Sequence, residues 1–251
     1  MDQSFYDQIE LGLSADITGW DFAWLDGHAT EERPPWGYAN LLGERMAATQ
    51  ASLDIQTGGG EILAGVPAVP PVAAATESYP PNLVKASENL LPKGILVVAD
   101  QDEPPLPFAD ATFDLVTSRH PATIWWAEIA RVLAPGGTYL AQHVGPTSAF
   151  ELIEFFLGPQ LQARKARDPE VEIAQAKEAG LEIVDLQTAR LRIELYDAAA
   201  AIYLLRKVIW WVPGFTVEKY RDRLWDLHKQ IQSDGVFVAH STRHLIEARR
   251  Q

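Results

Sequence analysis

The chain contains no cysteine. Disulfide staples, thiolate metal sites and cysteine nucleophiles are therefore excluded, and the redox compartment stays undetermined. Basic charge is also scarce: 21 Lys and Arg stand against 34 Asp and Glu, a formal net charge of −13. Gripping a nucleic-acid backbone requires a basic surface that displaces counterions, so a nucleic-acid partner is disfavoured. The arginines near the C-terminus, Arg243, Arg249 and Arg250, read as a solvated end. Long apolar runs are missing too. The most apolar late stretch, residues 198–215, is broken by Arg206, Lys207 and Pro213, too interrupted to span a bilayer. The opening MDQSFYDQIELGL is acidic and lacks a basic segment followed by an apolar core, so no signal peptide is expected. A cytoplasmic protein with no membrane partner is the expectation.

What is present is 47% hydrophobic residues in a chain of 251, enough for one substantial core. Residues 1–50 are aromatic and mixed, with Trp20, Phe22, Trp24, Trp36 and Tyr38 around a turn-rich stretch, and residues 39–50 read as a helix. From there strand and helix alternate. ASLDI, PPVAAATE, GILVVAD, FDLVTSR and TYLAQHV read as strands, with NLVKASENL and IWWAEIARVL as helices between them. Such alternation argues for a parallel sheet covered on both faces. Residues 147–180 look helical, LEIVDLQTARLRIEL is a further strand, and residues 197–233 carry two helical patterns split by VPGF. The end, from Phe237 to Ala248, alternates like a closing strand. The expected organisation is a single domain over 1–251. Residues 1–40 form an N-terminal lid segment, and 197–233 a helical insertion before the last strand.

The strongest local signal is LDIQTGGGE, residues 53–61, where an acidic residue ends a buried strand and a glycine-rich turn follows. Gly58, Gly59 and Gly60 permit positive φ and close approach of backbone to a ligand. A nicotinamide fingerprint, G-x-G-x-x-G, would place its third glycine at position 63, which is Leu63, so the dehydrogenase reading is weakened. Glu77 ends the second strand about twenty residues after this turn, where a carboxylate can take both hydroxyls of a ribose. GILVVAD then runs into QDEPPLPFAD, FDLV follows at once, and ARVLAPGG precedes the fifth strand.

In that order these segments resemble the class I S-adenosylmethionine-dependent methyltransferases, in the type 11-like branch marked by LPF-x-D-x-x-FD and RVL-x-PGG. The resemblance runs from about Leu53 to Gly145. It implies a Rossmann-like α/β fold with a seven-stranded, mostly parallel sheet, an antiparallel last strand and a helical cap. It also implies S-adenosylmethionine as cofactor. Asp54 would lie near the methionine portion, Thr57 and Gly58 against the cofactor, and Glu77 on the ribose. Ser78 and Tyr79 would flank the adenine, whose amino group Asp102 would accept. Ser118, Arg119 and His120 would face the sulfonium and the acceptor, while Glu128 and Arg131 would be structural. One departure stands out, because Gln56 occupies the first glycine position of the family's turn. The reading favoured here is that this position does not need positive φ and that the side chain points aside.

The function implied is methyl transfer to an oxygen or nitrogen of a small molecule, with an aromatic or apolar acceptor suggested by the many tryptophans. The rival is a cofactor-binding protein without methyl transfer, either a non-catalytic subunit or a catalyst of another reaction in the same pocket. His120 is the candidate general base, since neutral imidazole suits proton removal near pH 7, and the alternative is a loop hydrogen bond. Gln142 and His143 are secondary candidates. The remaining histidines, His28, His228, His240 and His244, are scattered and predict no metal site. A monomer or homodimer is expected.

Overall fold

A computed structural model describes residues 2–251. From the N-terminus the elements are α1 (Gln3–Ser14), β1 (Ala29–Glu31), α2 (Tyr38–Ala47), β2 (Ala51–Ile55), α3 (Glu61–Ala64) and β3 (Val72–Glu77). There follow α4 (Pro80–Leu90), β4 (Leu96–Ala99), β5 (Phe113–Arg119), α5 (Trp126–Val132), β6 (Leu133–Val144) and α6 (Phe150–Leu157). The chain ends with α7 (Pro169–Glu178), β7 (Leu181–Leu195), α8 (Ala198–Lys207), α9 (Arg221–Asp234) and β8 (Phe237–Arg250).

The strands lie in the order β1-β7-β8-β6-β5-β2-β3-β4. β2 pairs in parallel with β3 and β5, β3 with β4, and β5 with β6. β8 runs antiparallel to β6, as expected of the closing strand. The strand beyond the expected seven is β1, three residues paired antiparallel to the end of β7. Its sequence, ATE, carries no alternation long enough to read.

By their contacts the residues fall into two compact units. One holds residues up to 33, 147–166 and 190–242, and the other holds 34–146, 167–189 and 243–251. β7 and β8 each contribute residues to both. The segments expected as additions, 1–40 and 197–233, share the first unit as far as residue 33; Pro34 onward belongs to the second.

In the first unit α1 packs on α8. Residues 3–14 form a helix in a stretch whose mixed, aromatic sequence predicts none, although the physical signals are present. Asp2 caps the first turn by accepting from the Phe5 amide at 2.9 Å. Phe5, Ile9 and Gly12 then recur on one buried face. A Cβ on Gly12 would lie 2.8 Å from Cβ of Ile202, so the two helices approach as closely as glycine allows. α8, AAAAIYLLRK, is buried on nearly every side, and Arg206 closes the contact by donating to the carbonyl of Gly12.

In the second unit the alternation of side chains divides the core in two. Leu53, Val116, Tyr139, Ala141 and Ile246 point to the face covered by α5 and α7. Leu115, Leu140 and Leu245 point to the other, under α2, α3 and α4. Leu42 and Met46, each almost completely buried, bind α2 to that face at about 1.5 to 3 kcal/mol apiece. Arg45 adds a two-pronged pair with Glu247 of β8. α2 is thus fixed over the sheet, and with it the residues just before it, Trp36 and Gly37.

Candidate cofactor and acceptor site

Ligands of parallel α/β sheets bind outside the carboxyl ends of the strands. In this protein the chain is strained there. Gln56 follows β2, Asp102 lies beyond β4 and His120 follows β5, and their φ values are +57°, +56° and +58°. Left-handed backbone at a non-glycine residue costs about 1 to 3 kcal/mol, and such strain concentrates at functional sites.

The expectation for Gln56 is therefore corrected in its first half. The position does require positive φ, which explains why glycine suits it. The second half agrees with the geometry: the side chain turns aside, accepting from the amide of Ala122 at 2.6 Å and donating to the carbonyl of Thr123 at 2.9 Å. These two bonds tie the glycine turn to the loop after β5 and offset the cost of the backbone.

Asp54, the next-to-last residue of β2, is buried and accepts from the Thr117 hydroxyl at 2.5 Å. Burial raises its carboxyl to a pKa of about 6, against the hydrogen bond from Thr117. Thr57 donates its amide to the carbonyl of Thr76 at 2.9 Å, which docks the turn on β3. Gly58 has φ +66°, and a Cβ there would meet no atom within 4 Å. Open space lies against the turn where a ligand is expected.

Glu77 is almost wholly buried at the end of β3. Its Oε2 accepts from the Gly58 amide at 2.7 Å, and its Oε1 accepts from the amides of Ser78 and Tyr79 at 3.0 and 2.8 Å. A carboxylate offers about four acceptor positions, so one remains while these amides stay bonded. The same side chain thus clamps the glycine turn, and its remaining position is open to a ligand hydroxyl. Ser78 and Tyr79 supply two of the three amides, and both residues are exposed.

Asp102 donates its amide to Asp100 Oδ1 at 2.6 Å, which supports its left-handed conformation. Its own Oδ1 is buried without a hydrogen-bond partner among the described residues. Burial, then the charge of Asp100, raises its pKa. A buried carboxylate oxygen without a donor is costly unless a ligand supplies one, and the amino group of an adenine is such a donor. The donor set thus fits S-adenosylmethionine: an unpartnered acceptor at Asp102, an open turn at Gly58 and a buried carboxylate at Asp54.

Around His120 the geometry is a chain. Trp36 Nε1 donates to Gln142 Oε1 at 2.8 Å, and Gln142 Nε2 lies 2.8 Å from His120 Nε2. An indole N–H can only donate, so it fixes which end of the Gln142 amide is oxygen. The Gln142 amino group then donates, and His120 Nε2 must accept. His120 is consequently the neutral tautomer protonated at Nδ1. Burial, then Arg119 beside it, hold its pKa well below the ordinary histidine value. Its one lone pair is committed to Gln142, so the expected base role has no free nitrogen behind it in this arrangement.

Ser118 is turned inward, donating to the carbonyl of Ile55 at 2.9 Å, while its carbonyl accepts from Tyr38. Arg119 is exposed at the end of β5. Glu128 and Arg131 bracket the LPF segment. Glu128 accepts from the Leu106 amide at 2.7 Å, and Arg131 donates to the carbonyls of Leu106 and Phe108 and to Asp110. These contacts account for why LPF-x-D and the helix ending in RVL occur together. Trp36 had no readable role in the sequence, since its partner lies 106 positions away.

Of the histidines read as scattered, His244 meets the secondary candidate His143. The pairing of β6 with β8 sets His143 opposite His244, and both reach Glu172 of α7.

Residues 53–141 match a family model described as a methyltransferase domain. A search of curated proteins finds no significant match. Among solved structures, an S-adenosylmethionine-dependent methyltransferase from Thiobacillus denitrificans, in complex with S-adenosylhomocysteine, aligns with TM-score 0.51 and 14% identity. The alignment covers 87% of this chain and 92% of that one. The [4+2]-cyclase SpnF aligns with TM-score 0.55 and 16% identity over 98% of this chain and 94% of its own. A phosphoethanolamine N-methyltransferase from Haemonchus contortus, in complex with phosphomonomethylethanolamine and S-adenosylhomocysteine, has TM-score 0.50 and 18% identity, covering 86% of this chain and 52% of that one. At such identities the likenesses establish the fold alone. Residues 53–141 thus match a methyltransferase-domain model, and the chain has the Rossmann-like α/β fold of the aligned structures.

Proposed function

We propose that the protein transfers the methyl group of S-adenosylmethionine to an oxygen or nitrogen of a small molecule. The observation that carries this reading is the unpartnered, buried Oδ1 of Asp102, beside strained backbone at the strand ends. Asp54, Gln56, Thr57, Gly58, Glu77, Ser78, Asp102 and Arg119 would hold the cofactor. When bound, it supplies a methyl group activated by the sulfonium charge. The residues would bind, orient and exclude water, which is most of what an in-line displacement requires.

His120 supports the choice of acceptor atom. With Nε2 held by Gln142, it offers a donor and no free lone pair in this arrangement, which supports an acceptor that needs no proton removed by a base. An acceptor that arrives with its own lone pair or negative charge, such as an amine, a carboxylate or an ionised hydroxyl, needs no such base. A formal net charge of −13 disfavours a nucleic-acid acceptor. No helix of the described residues is long and apolar enough to cross a membrane.

The rival, cofactor binding without methyl transfer, draws on Gln56. A side chain now stands at the tightest part of the turn and is bonded to the loop that follows β5. Calorimetric titration with S-adenosylmethionine and S-adenosylhomocysteine separates binding from its absence, and Asp102→Asn should weaken both at least tenfold. Transfer of labelled methyl to a panel of small amines, carboxylates and phenols then tests the reaction. Tight binding with no transfer to any member favours the rival, and no binding by the wild type defeats both.

A further inference from the structure

Successive residues of β6 face opposite sides of the sheet, so His143 points away from the face that carries Gln142 and His120. On its own face it is met by two other side chains that can ligate a metal. His244 is its register partner on β8, and Glu172 comes from α7. Nδ1 of His143 and Nε2 of His244 each lie 2.7 Å from Oε2 of Glu172. One ligand atom from each residue falls within 4.8 Å of the others, and all three residues are buried. The Tyr139 hydroxyl lies 3.0 Å from the outer nitrogen of His143 and fixes that ring. Nδ1 of His244 is buried without a partner among the described residues.

We infer that His143, Glu172 and His244 form a buried site for a divalent cation of the zinc type. Two imidazoles and a carboxylate are the ligands such ions take, and the second oxygen of Glu172 provides a fourth donor atom. The alternative is a cluster joined by hydrogen bonds alone. With both rings neutral, that cluster answers the buried carboxylate charge with two N–H donors and no countercharge, and leaves the Nδ1 lone pair of His244 without a donor. A cation between the three residues compensates the charge. It uses lone pairs of both rings and moves their protons to the outer nitrogens, where the Tyr139 hydroxyl accepts that of His143 and the one on His244 Nδ1 meets no acceptor among the described residues. Orientation of a ligating histidine through its outer nitrogen is common at metal sites. Such an ion would join α7 to β6 and β8, on the face opposite Gln142, and would serve the fold rather than methyl transfer.

The test uses the full chain, stripped with a chelator, dialysed and titrated with Zn²⁺ by calorimetry, with Co²⁺ as a spectroscopic substitute. The expected result is one equivalent bound and a Co²⁺ absorption band of low-symmetry, four-coordinate type. Tm should rise by about 5 to 10 °C at a hundredfold excess over Kd. Glu172→Gln and His244→Phe, both close in shape, should each weaken binding at least tenfold. His240→Ala should leave it unchanged, because that ring belongs to the other unit and bonds Glu151. Failure of the folded wild type to bind overturns the site, as does equal binding by both cluster variants. Either outcome would leave a cluster held by hydrogen bonds only.

Discussion

The indole nitrogen of Trp36 and the amide oxygen of Gln142 lie 2.8 Å apart, and that single bond determines the protonation of a third residue. Because the indole only donates, the Gln142 amino group faces His120, and His120 accepts through Nε2. Nitrogen-15 spectra of the histidine rings should therefore find His120 neutral at pH 7 with its proton on Nδ1. Gln142→Glu places a carboxylate oxygen against Nε2, which favours a proton there and raises the pKa of the ring. The spectrum should shift to the Nε2-protonated or doubly protonated form. A wild-type ring already protonated at Nε2 would refute the assignment.

Gln56 allows competing terms to be weighed. Gln56→Gly relieves left-handed strain of about 1 to 2 kcal/mol but loses two hydrogen bonds worth about 0.5 to 1.5 kcal/mol each. It also loosens the unfolded chain by about 0.5 to 1 kcal/mol. The sum is a net loss of about 1 kcal/mol. Gln56→Ala keeps the strain and loses the same bonds, so it should be less stable than Gln56→Gly by about 1 kcal/mol. Denaturant midpoints in the order wild type, Gly, Ala would bear this out; Ala above Gly would mean that the backbone is not strained. Hydrogen exchange at Ala122 should accelerate in both variants, because its amide loses its acceptor.

The close contact of α1 and α8 predicts a cost for the smallest possible enlargement. Gly12→Ala would normally favour a helix interior, by about 0.5 to 1 kcal/mol. Here the added methyl would stand 2.8 Å from Cβ of Ile202 and 3.0 Å from the carbonyl of Ala199, neither of them a flexible end. Overpacking of this kind costs about 1 to 3 kcal/mol, so destabilisation should prevail. An unchanged or raised Tm would show that the helices can separate without loss.

Which parts of this protein were legible in the sequence follows from how local their causes are. The five parallel strands and the helices between them are short apolar runs bounded by glycine, proline and acidic residues, and each was readable. The unexpected helix α1 sat in a segment dominated by aromatics. Its pattern rests on Phe5, Ile9 and a glycine whose value appears only against Ile202. Asp54 and Glu77 were legible as acidic residues at strand ends, and Asp102 by its spacing from LPF. The bonding of Glu77 to three backbone amides was not legible, since the turn's path was not fixed by sequence. The Trp36–Gln142–His120 chain and the His143–Glu172–His244 cluster depend on register and packing between distant elements. No local spacing encodes them.

On the proposed assignment of Asp54 to the cofactor site, cofactor binding should depend on pH. Its pKa is raised to about 6 by burial, from an ordinary value near 4. Between those values the folded state binds more protons than the unfolded state. Stability attributable to this group is therefore fully present at low pH and declines as pH rises through about 4 to 6. Binding of a cationic sulfonium and its ammonium group runs the other way, because only the ionised carboxylate attracts them. The affinity for S-adenosylmethionine should fall as pH drops through about 6, while the protein itself gains stability. Asp54→Asn should remove both dependences: lower affinity at pH 8, little further loss at pH 5, and no gain in Tm across that interval from this position. Calorimetry at pH 5, 6.5 and 8 on the two proteins measures the first, and thermal unfolding in the same buffers measures the second. If the wild type and Asp54→Asn lose affinity in parallel on acidification, the titrating group lies elsewhere, and Asp54 serves only to hold Thr117.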